Sequence, residues 1–138
     1  MRLKNLFFPV AVIMFFLPAC KKDSHNPSIT GNWNIVSDST YTGIGTGNHP
    51  IAYAGKPGDY FNFQANGIIY TKEGTALDTL TYKLISNTQI VISPFGITLN
   101  GVPETSNIIA FTDNYLVIKA PEVFTPGGIF GRKISLSR

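Results

Sequence analysis

The sequence predicts an all-β fold, a small antiparallel up-and-down barrel of about eight strands. Segments in which apolar and polar residues alternate recur along the chain, a pattern typical of strands that bury one face. Short turn signals and long glycine- and proline-rich segments separate these strands. Threonine, isoleucine, tyrosine and phenylalanine are abundant and charged residues make up only 14% of the chain. This composition favours strands over helices.

The first strand is predicted at residues 31–38, with residues 31–41 as the alternative. Gly31, Trp33 and Ile35 fall on one face of this strand by alternation, and Asp38 falls on the other face. Trp33 is the only tryptophan in the chain. We expect it to be the largest core residue, in a site that also provides an acceptor for its indole N–H group.

Seven further strands are predicted at residues 59–64, 68–73, 77–85, 89–92, 106–111, 115–120 and 129–137. Asn66 and Gly67 form a two-residue turn between the first two of these, because both tolerate positive φ. The strand at 77–85 alternates Leu80, Tyr82 and Leu84 with polar residues, which indicates that one of its faces is buried.

The connections between the predicted strands differ in length. Residues 42–58, 93–105 and 121–128 are expected to form long loops, the second of which contains a short strand at 97–99. Alternate connections of an up-and-down meander lie at the same end. The tight turns therefore gather at one end and most long loops at the other, which predicts a barrel with a closed bottom and an open mouth.

Residues 1–19 have the features of a lipoprotein signal peptide. Arg2 and Lys4 precede an apolar run at residues 6–17, which is shorter than the ~20 residues a bilayer-spanning helix needs. A small residue stands directly before Cys20 at the end of this run. The arrangement resembles the lipobox of bacterial lipoproteins, which implies cleavage before Cys20 and lipidation of that residue. An ordinary signal peptide with an incidental cysteine is the alternative.

Lipidation of Cys20 is consistent with its being the only cysteine of an exported chain. A single thiol cannot form an internal disulfide, and two or more acyl chains anchor a protein stably in a membrane. Residues 20–28 then consist of the lipidated cysteine, Cys20, followed by a polar tether. Lys21 follows the cysteine directly, which is similar to sorting patterns that favour the outer membrane, on its periplasmic or surface face.

The charge of the chain gives no indication of a nucleic-acid partner. The full sequence has 11 basic and 8 acidic residues, a net charge of +3. Two of the basic residues, Arg2 and Lys4, belong to the signal peptide, so their removal lowers the net charge to +1. No basic stripe remains for binding a phosphate backbone, and we expect no nucleic acid to be bound.

Residues 29–138 resemble the lipocalin-like domains of small bacterial lipoproteins. The resemblance starts with Gly31 and Trp33, the Gly-x-Trp pair that opens the first strand. It continues in the aromatic strand at 60–63 that leads into the Asn66-Gly67 turn, in the hairpin at 108–118 and in the basic end at 132–138. It implies a lipocalin-like barrel domain, without a second signature of the larger eukaryotic lipocalins and without a C-terminal helix.

Closure of the barrel places Arg138 near Trp33. The last strand then pairs antiparallel with the first, and alternation puts Ile134, Leu136 and Arg138 on one face. The guanidinium of Arg138 is expected within about 6 Å of the Trp33 ring centre, as in a cation–π contact. An arginine packed over the tryptophan is also what the lipocalin resemblance implies. The alternative is a frayed, solvated C-terminus.

Two functions remain open at this point. A possible cavity for a small apolar molecule of the cell envelope is lined by Phe61, Phe63, Tyr82 and Phe111. If these rings instead fill the barrel with a close-packed core, the loops can act as a protein- or glycan-interaction module of the outer membrane.

The sequence favours no catalytic, metal or cofactor site. His25 lies in the tether and His49 in a predicted loop, and neither is close in sequence to a second metal ligand. Acylation of Cys20 leaves no thiol nucleophile. The segment 43–47 is rich in glycine but lacks the following helix and the Lys-Ser/Thr pair of a phosphate-binding loop. We therefore expect the protein not to be an enzyme.

Overall fold

A computed structural model describes residues 26–43, 49–96, 98–99, 101–126 and 128–138, and these residues form strands and no helix. The predicted signal peptide, Cys20, most of the tether with His25, and residues 44–48 of the glycine-rich segment lie outside the described residues. The strands are β1 (Gly31–Gly43), β2 (His49–Ala54), β3 (Tyr60–Phe63), β4 (Ile68–Glu73), β5 (Ala76–Ser86), β6 (Gln89–Ser93), β7 (Thr98–Leu99), β8 (Val102–Pro103), β9 (Thr105–Phe111), β10 (Tyr115–Lys119), β11 (Val123–Thr125) and β12 (Gly128–Ser137).

The described strands form a closed antiparallel barrel. Ten of them make one sheet in the order β11-β12-β10-β9-β6-β5-β4-β3-β1-β2, and an additional pairing of β12 with β1 closes the ring. The closed part contains the eight strands β1, β3, β4, β5, β6, β9, β10 and β12. The predicted all-β, up-and-down, lipocalin-like barrel is therefore confirmed.

The strands β2 and β11 lie in segments that the sequence predicted to be loops, so the loop predictions for 42–58 and 121–128 are wrong. Strand β1 pairs with β3 through residues 31–34 and then with β2 through residues 37–42. Strand β12 pairs with β11 through residues 128–130 and with β10 through residues 133–137. The long strands β1 and β12 therefore continue beyond the barrel, and each carries a short edge strand there.

The turns fall at the two ends of the barrel as predicted. The tight β3–β4, β5–β6 and β9–β10 turns lie at the closed end, where β1 begins and β12 ends. There the amide of Arg138 donates a hydrogen bond to the carbonyl of Asn114 in the β9–β10 turn. The β4–β5 turn and the connections after β6 and β10 lie at the opposite end, which we call the mouth. The short strands β7 and β8 pair with each other in the connection after β6.

A β-bulge in β1 changes which residues face the barrel interior. The pairing register of β1 with β12 shifts between Ile35 and Ser37, so one extra residue is accommodated there. The bulge turns Asp38 inward, where it is only 4% exposed. The prediction that Asp38 lies on the face opposite Trp33 is therefore wrong, because strict alternation fails wherever a bulge inserts a residue.

The bulge lies where β1 exchanges β3 for β2 as its partner. The amide of Gly55 donates a hydrogen bond of 3.0 Å to the carbonyl of Val36, and the amide of Ile35 donates one of 3.2 Å to the carbonyl of Asp59. A Cβ atom added to Gly55 would lie 1.8 Å from the carbonyl oxygen of Ile35. Only glycine permits this close approach of two backbones.

Apolar side chains fill the lower part of the barrel. The fully buried set contains one tryptophan, two phenylalanines and seven aliphatic residues: Trp33, Phe61, Phe63, Ile69, Ile90, Ile92, Leu116, Ile118, Ile134 and Leu136. The ring of Phe63 meets that of Tyr82 edge to face, with centroids 5.1 Å apart. Phe111 and Tyr82 are partly buried against this core. Interdigitated rings of this kind are typical of a close-packed interior.

The closed end is sealed by Trp33 and Arg138. The indole N–H of Trp33 donates a hydrogen bond of 2.7 Å to the carbonyl of Ile29, and the guanidinium carbon of Arg138 lies 3.9 Å from the indole ring centre. The guanidinium also donates to the backbone carbonyls of Ser28 and Thr30. Gly31 adopts a φ of 118° beneath it, a conformation that other residues rarely adopt. The expected Arg138–Trp33 contact and the pairing of the first and last strands are both present.

Candidate ligand site at the barrel mouth

The mouth of the barrel contains a cleft of about 240 Å³, which we call the mouth cleft. Its apolar lining consists of Phe61, Ala76, Leu80, Pro94, Phe95 and Gly96, and its polar lining consists of Thr71, Glu73, Asp78 and Arg132. Most of these residues belong to the β4–β5 hairpin or to the chain directly after β6. Their inward direction follows from alternation along β4 and β5, in which Thr71 pairs with Asp78 and Glu73 pairs with Ala76.

Phe95 divides the mouth into two spaces. It follows β6 directly and is only 5% exposed, although it belongs to a connecting segment. A neighbouring hollow of about 290 Å³ is lined by Thr40, Tyr41, Phe130 and Gly131, and it shares Phe95, Gly96 and Arg132 with the mouth cleft. The ring of Phe95 therefore acts as a partition across the open end of the barrel.

Arg132 and Asp38 form an ion pair at the mouth, in which the side chain of Asp38 is buried and that of Arg132 is 24% exposed. The Nε atom of Arg132 lies 3.1 and 3.0 Å from the two carboxylate oxygens of Asp38, and its Nη2 atom lies 2.5 Å from Oδ2. The guanidinium carbon also lies 4.8 Å from the centre of the Phe95 ring. The charge of Arg132 is thus largely matched by Asp38, and its plane is held against an aromatic wall of the cleft.

Glu73 is a second carboxylate beside this ion pair. Its Oε2 atom lies 3.9 Å from Nη2 of Arg132, and its side chain is 32% exposed. Burial raises the pKa of Glu73, and the negative charges of Asp38 and Asp59 raise it further, while Arg132 acts in the opposite direction. The carboxylate of Glu73 therefore lines the cleft, and its contact with the guanidinium of Arg132 is long. The charge of that guanidinium is already matched by Asp38.

Asp59 supports the mouth from behind the cleft. Its carboxylate accepts hydrogen bonds from the Tyr53 hydroxyl at 2.6 Å, the Lys56 amide at 2.8 Å and the Gly74 amide at 2.9 Å. The Tyr53 hydrogen bond is the largest influence that lowers the pKa of Asp59, and the same bond contributes most to raising the pKa of Tyr53 to about 12. The network fixes the β4–β5 turn, and with it Glu73, relative to β2.

The sequence-predicted residues divide between the closed end and the mouth. Gly31, Trp33 and Arg138 lie together at the closed end. The cation–π contact between Arg138 and Trp33 indicates that their role is structural. Of the four aromatic residues proposed for a cavity, Phe61 lines the mouth cleft, whereas Phe63 is fully buried and packs against Tyr82 in the core. Phe111 lies at the edge of the same core.

Sequence reasoning missed Asp38, Glu73 and Phe95 as residues of the mouth. The bulge that turns Asp38 inward leaves no simple signal in the sequence, and Phe95 lies in a segment without periodicity. Glu73 could have been found, because it shares its parity in β4 with the buried residues Ile69 and Thr71. Alternation thus indicated an acidic residue on the inner face of that strand.

A second feature lies on the outer wall of the barrel. Tyr60, Tyr70, Leu77 and Thr79 line a hollow of about 460 Å³ there, together with parts of Thr71 and Asp78. The side chains of Tyr70 and Leu77 are 45% and 73% exposed. We call this group of residues the outer-wall patch. Exposed aromatic and aliphatic groups of this kind are typical of interaction surfaces.

Two other kinds of feature are absent from the described part of the chain. No group of three or more histidine, cysteine, aspartate or glutamate side chains there is arranged to hold a metal ion. Between residues 26 and 138, the described segments include no helix with the length and hydrophobicity needed to cross a bilayer. His49 is the first residue of β2 and pairs with Thr42 of β1, so the prediction that it lies in a loop is wrong.

Comparison with protein-family models, with curated proteins and with solved structures found no match to this chain. The function must therefore be argued from the geometry of this chain.

Proposed function

We propose that this protein is a lipid-anchored binding module of the cell envelope, which holds a small molecule at the mouth of its barrel. The observation that carries the proposal is the mouth cleft, which combines aromatic walls with carboxylates and a guanidinium in one concave space. Small-molecule sites are usually concave and largely apolar, with a few converging polar groups, and the mouths of β-barrels are a common place for them.

The size and position of the space restrict the ligand. Rings and aliphatic side chains fill the barrel interior, so a molecule could enter it only by displacing them. The mouth cleft of about 240 Å³ is smaller than the ~300–1,000 Å³ typical of sites for drug-sized ligands. The small apolar ligand expected from the sequence is therefore proposed in a narrower form, as a compact molecule with an apolar body and a polar end.

Binding is proposed rather than catalysis because three charged groups at the mouth, those of Asp38, Asp59 and Arg132, are held by fixed partners. Arg132 forms a bidentate pair with Asp38, and Asp59 is held by three hydrogen bonds. A general acid or base has to exchange protons with a substrate, which requires a group that is free to change its partners. Groups fixed in this way are suited to shaping a site.

Native mass spectrometry of the protein after mild extraction from membranes tests the ligand proposal. We expect a small molecule to co-purify with the wild-type chain and to be lost from the Ala76→Phe variant, whose new ring occupies the mouth cleft. The matched control is Ala52→Phe, which makes the same change at an exposed position of β2. A ligand-free mass for wild type and control alike would contradict binding at the mouth.

The proposed membrane anchor is tested separately with a Cys20→Ser variant. We expect this variant to incorporate no label when cells are grown with a radioactive or clickable fatty acid, because serine lacks the thiol that forms the thioether. The variant should also remain unprocessed or leave the membrane fraction. Equal labelling of the wild-type and serine chains would exclude Cys20 as the lipidation site.

The outer-wall patch favours a second candidate function, an interaction module that docks a protein or a glycan. Tyr60, Tyr70 and Leu77 present rings and an aliphatic side chain to the outside of the barrel, whose interior is already filled. Under this alternative the mouth cleft is a packing feature only. The Ala76→Phe variant would then keep its function, whereas Tyr70→Ala would lose it.

A further inference from the structure

The mouth cleft carries an excess of negative charge. Arg132 is the basic residue of its lining, and its guanidinium is already committed to the buried carboxylate of Asp38 through Nε and Nη2. Two further carboxylates, those of Glu73 and Asp78, belong to the same lining. An anionic ligand would have to compete with Asp38 for Arg132 and would lie beside both carboxylates.

The neighbouring charges do not remove this excess. Asp59 lies behind the cleft and adds to the negative potential at Glu73. Lys72 points to the outer side of the β4 strand, since its neighbours in the pairing, Tyr60 and Leu77, lie on the outer wall. The burial of Glu73 together with the nearby carboxylates raises its pKa, and a cation bound beside Glu73 would relieve that repulsion.

An apolar wall makes up the rest of the cleft lining. Phe61 and Phe95 contribute aromatic surface, and Leu80 and Pro94 contribute aliphatic surface. Phe61 and Phe95 are 1% and 5% exposed, so this wall is held in place by the core of the barrel. A ligand that matches the cleft therefore has a positively charged end for the carboxylates and a compact apolar body for the rings.

We propose that the mouth cleft selects a small organic cation, a primary or secondary amine on a short aromatic or aliphatic body. The ammonium group binds at the carboxylate of Glu73, in the part of the cleft that Asp78 also lines, and the body packs against Phe61 and Phe95. An ammonium supplies up to three hydrogen-bond donors, and hydrogen bonds between ions are stronger than those between neutral groups. The inference rests on the proposed function, because it specifies the ligand of the same cleft.

Isothermal titration of the full-length protein in detergent micelles tests the charge preference with three probes of similar shape. The probes are 2-phenylethylamine, the neutral 2-phenylethanol and the anionic 3-phenylpropionate. We expect the amine to bind tightest and the carboxylate weakest. The Glu73→Gln variant should weaken the amine about tenfold, as for the loss of one charged hydrogen bond, and should leave the alcohol within about twofold.

The control variant is Asp113→Asn, which removes one negative charge in the β9–β10 turn at the closed end. It should leave the affinity of the amine unchanged, so that an effect of net charge alone can be separated from an effect of the cleft. If the alcohol or the carboxylate binds to the wild-type chain as tightly as the amine, the proposed preference for a cation is wrong. The proposal of a ligand site at the mouth is not affected by that result. If none of the probes binds, the cation inference is also overturned, while native mass spectrometry decides the proposed function independently.

Discussion

Replacement of Trp33 by alanine is expected to lower the free energy of unfolding by about 3–5 kcal/mol, the usual loss for a large aromatic residue in a core. The side chain is completely buried, its N–H group is bonded to Ile29 at 2.7 Å, and Arg138 covers its ring. Truncation therefore opens a cavity and also leaves the guanidinium without its aromatic partner. Chemical denaturation of the wild-type protein and of the Trp33→Ala variant, followed by circular dichroism, measures the difference in their free energies of unfolding.

An Arg138→Met variant is the control for this prediction. Methionine keeps much of the packing over the ring but removes the charge and the exposed hydrogen bonds to the carbonyls of Ser28 and Thr30, so we expect a smaller loss, dominated by the ~0.5–2 kcal/mol of a cation–π contact. A loss below about 1 kcal/mol for Trp33→Ala would show that the tryptophan is exposed, because burial of a large side chain contributes more than this. That outcome would overturn the closed end of the barrel.

Replacement of Arg132 by methionine is expected to destabilise the fold by about 3–5 kcal/mol, as when one partner of a buried ion pair is removed. The variant leaves the Asp38 carboxylate, 4% exposed, without its bidentate partner. Methionine retains most of the apolar contact with Phe95. The loss therefore reflects mainly the unpaired charge, and it is measured from the shift of the denaturation midpoint.

The double variant Asp38→Val/Arg132→Met separates charge from packing. Because replacement of both members of a buried pair by apolar residues is often neutral or stabilising, we expect most of the lost stability to return. A double variant that is as unstable as the two single variants combined would mean that the two side chains act independently. The stability lost in the single variants would then not come from the interaction between Asp38 and Arg132.

The barrel itself could be predicted because its signals are local. Strand β4 begins and ends at the predicted residues, Ile68 and Glu73, since the strand alternates regularly and turn residues flank it on both sides. The pairing of β12 with β1 was predicted from closure of the meander, and parity along the last strand then placed Arg138 over Trp33. In both cases alternation and turn chemistry pointed to the same structure.

The edge strands could not be predicted from alternation in the same way. Strand β2 pairs with β1 and strand β11 pairs with β12, each outside the closed ring. Such short strands lack a second neighbour, so they need no regular buried face and can occur in glycine- and proline-rich sequence. The sheet extends beyond the barrel because β1 and β12 are long. Their length is seen only from the residues with which they pair.

The position of the mouth was predicted, but of the residues that line its cleft only Phe61 was predicted to line a cavity. An open end bounded by the long connections followed from the alternation of turn lengths. Its charged groups depend on tertiary events, above all on the bulge near Ile35 that turns Asp38 inward to meet Arg132. Phe95 lies in a connecting segment in which apolar and polar residues do not alternate, so its burial at the mouth could not be predicted from the sequence.

The most direct test of the central claim is to map the position of the bound small molecule by NMR. Amide spectra of the isotope-labelled, full-length protein in micelles would be recorded with and without the small-molecule fraction recovered from the extracted protein. We expect the resonances of the mouth cleft to shift, above all those of Glu73, Phe95 and Arg132, while those of the outer-wall patch stay in place. Shifts confined to Tyr60, Tyr70 and Leu77 would contradict a ligand site at the mouth of the barrel.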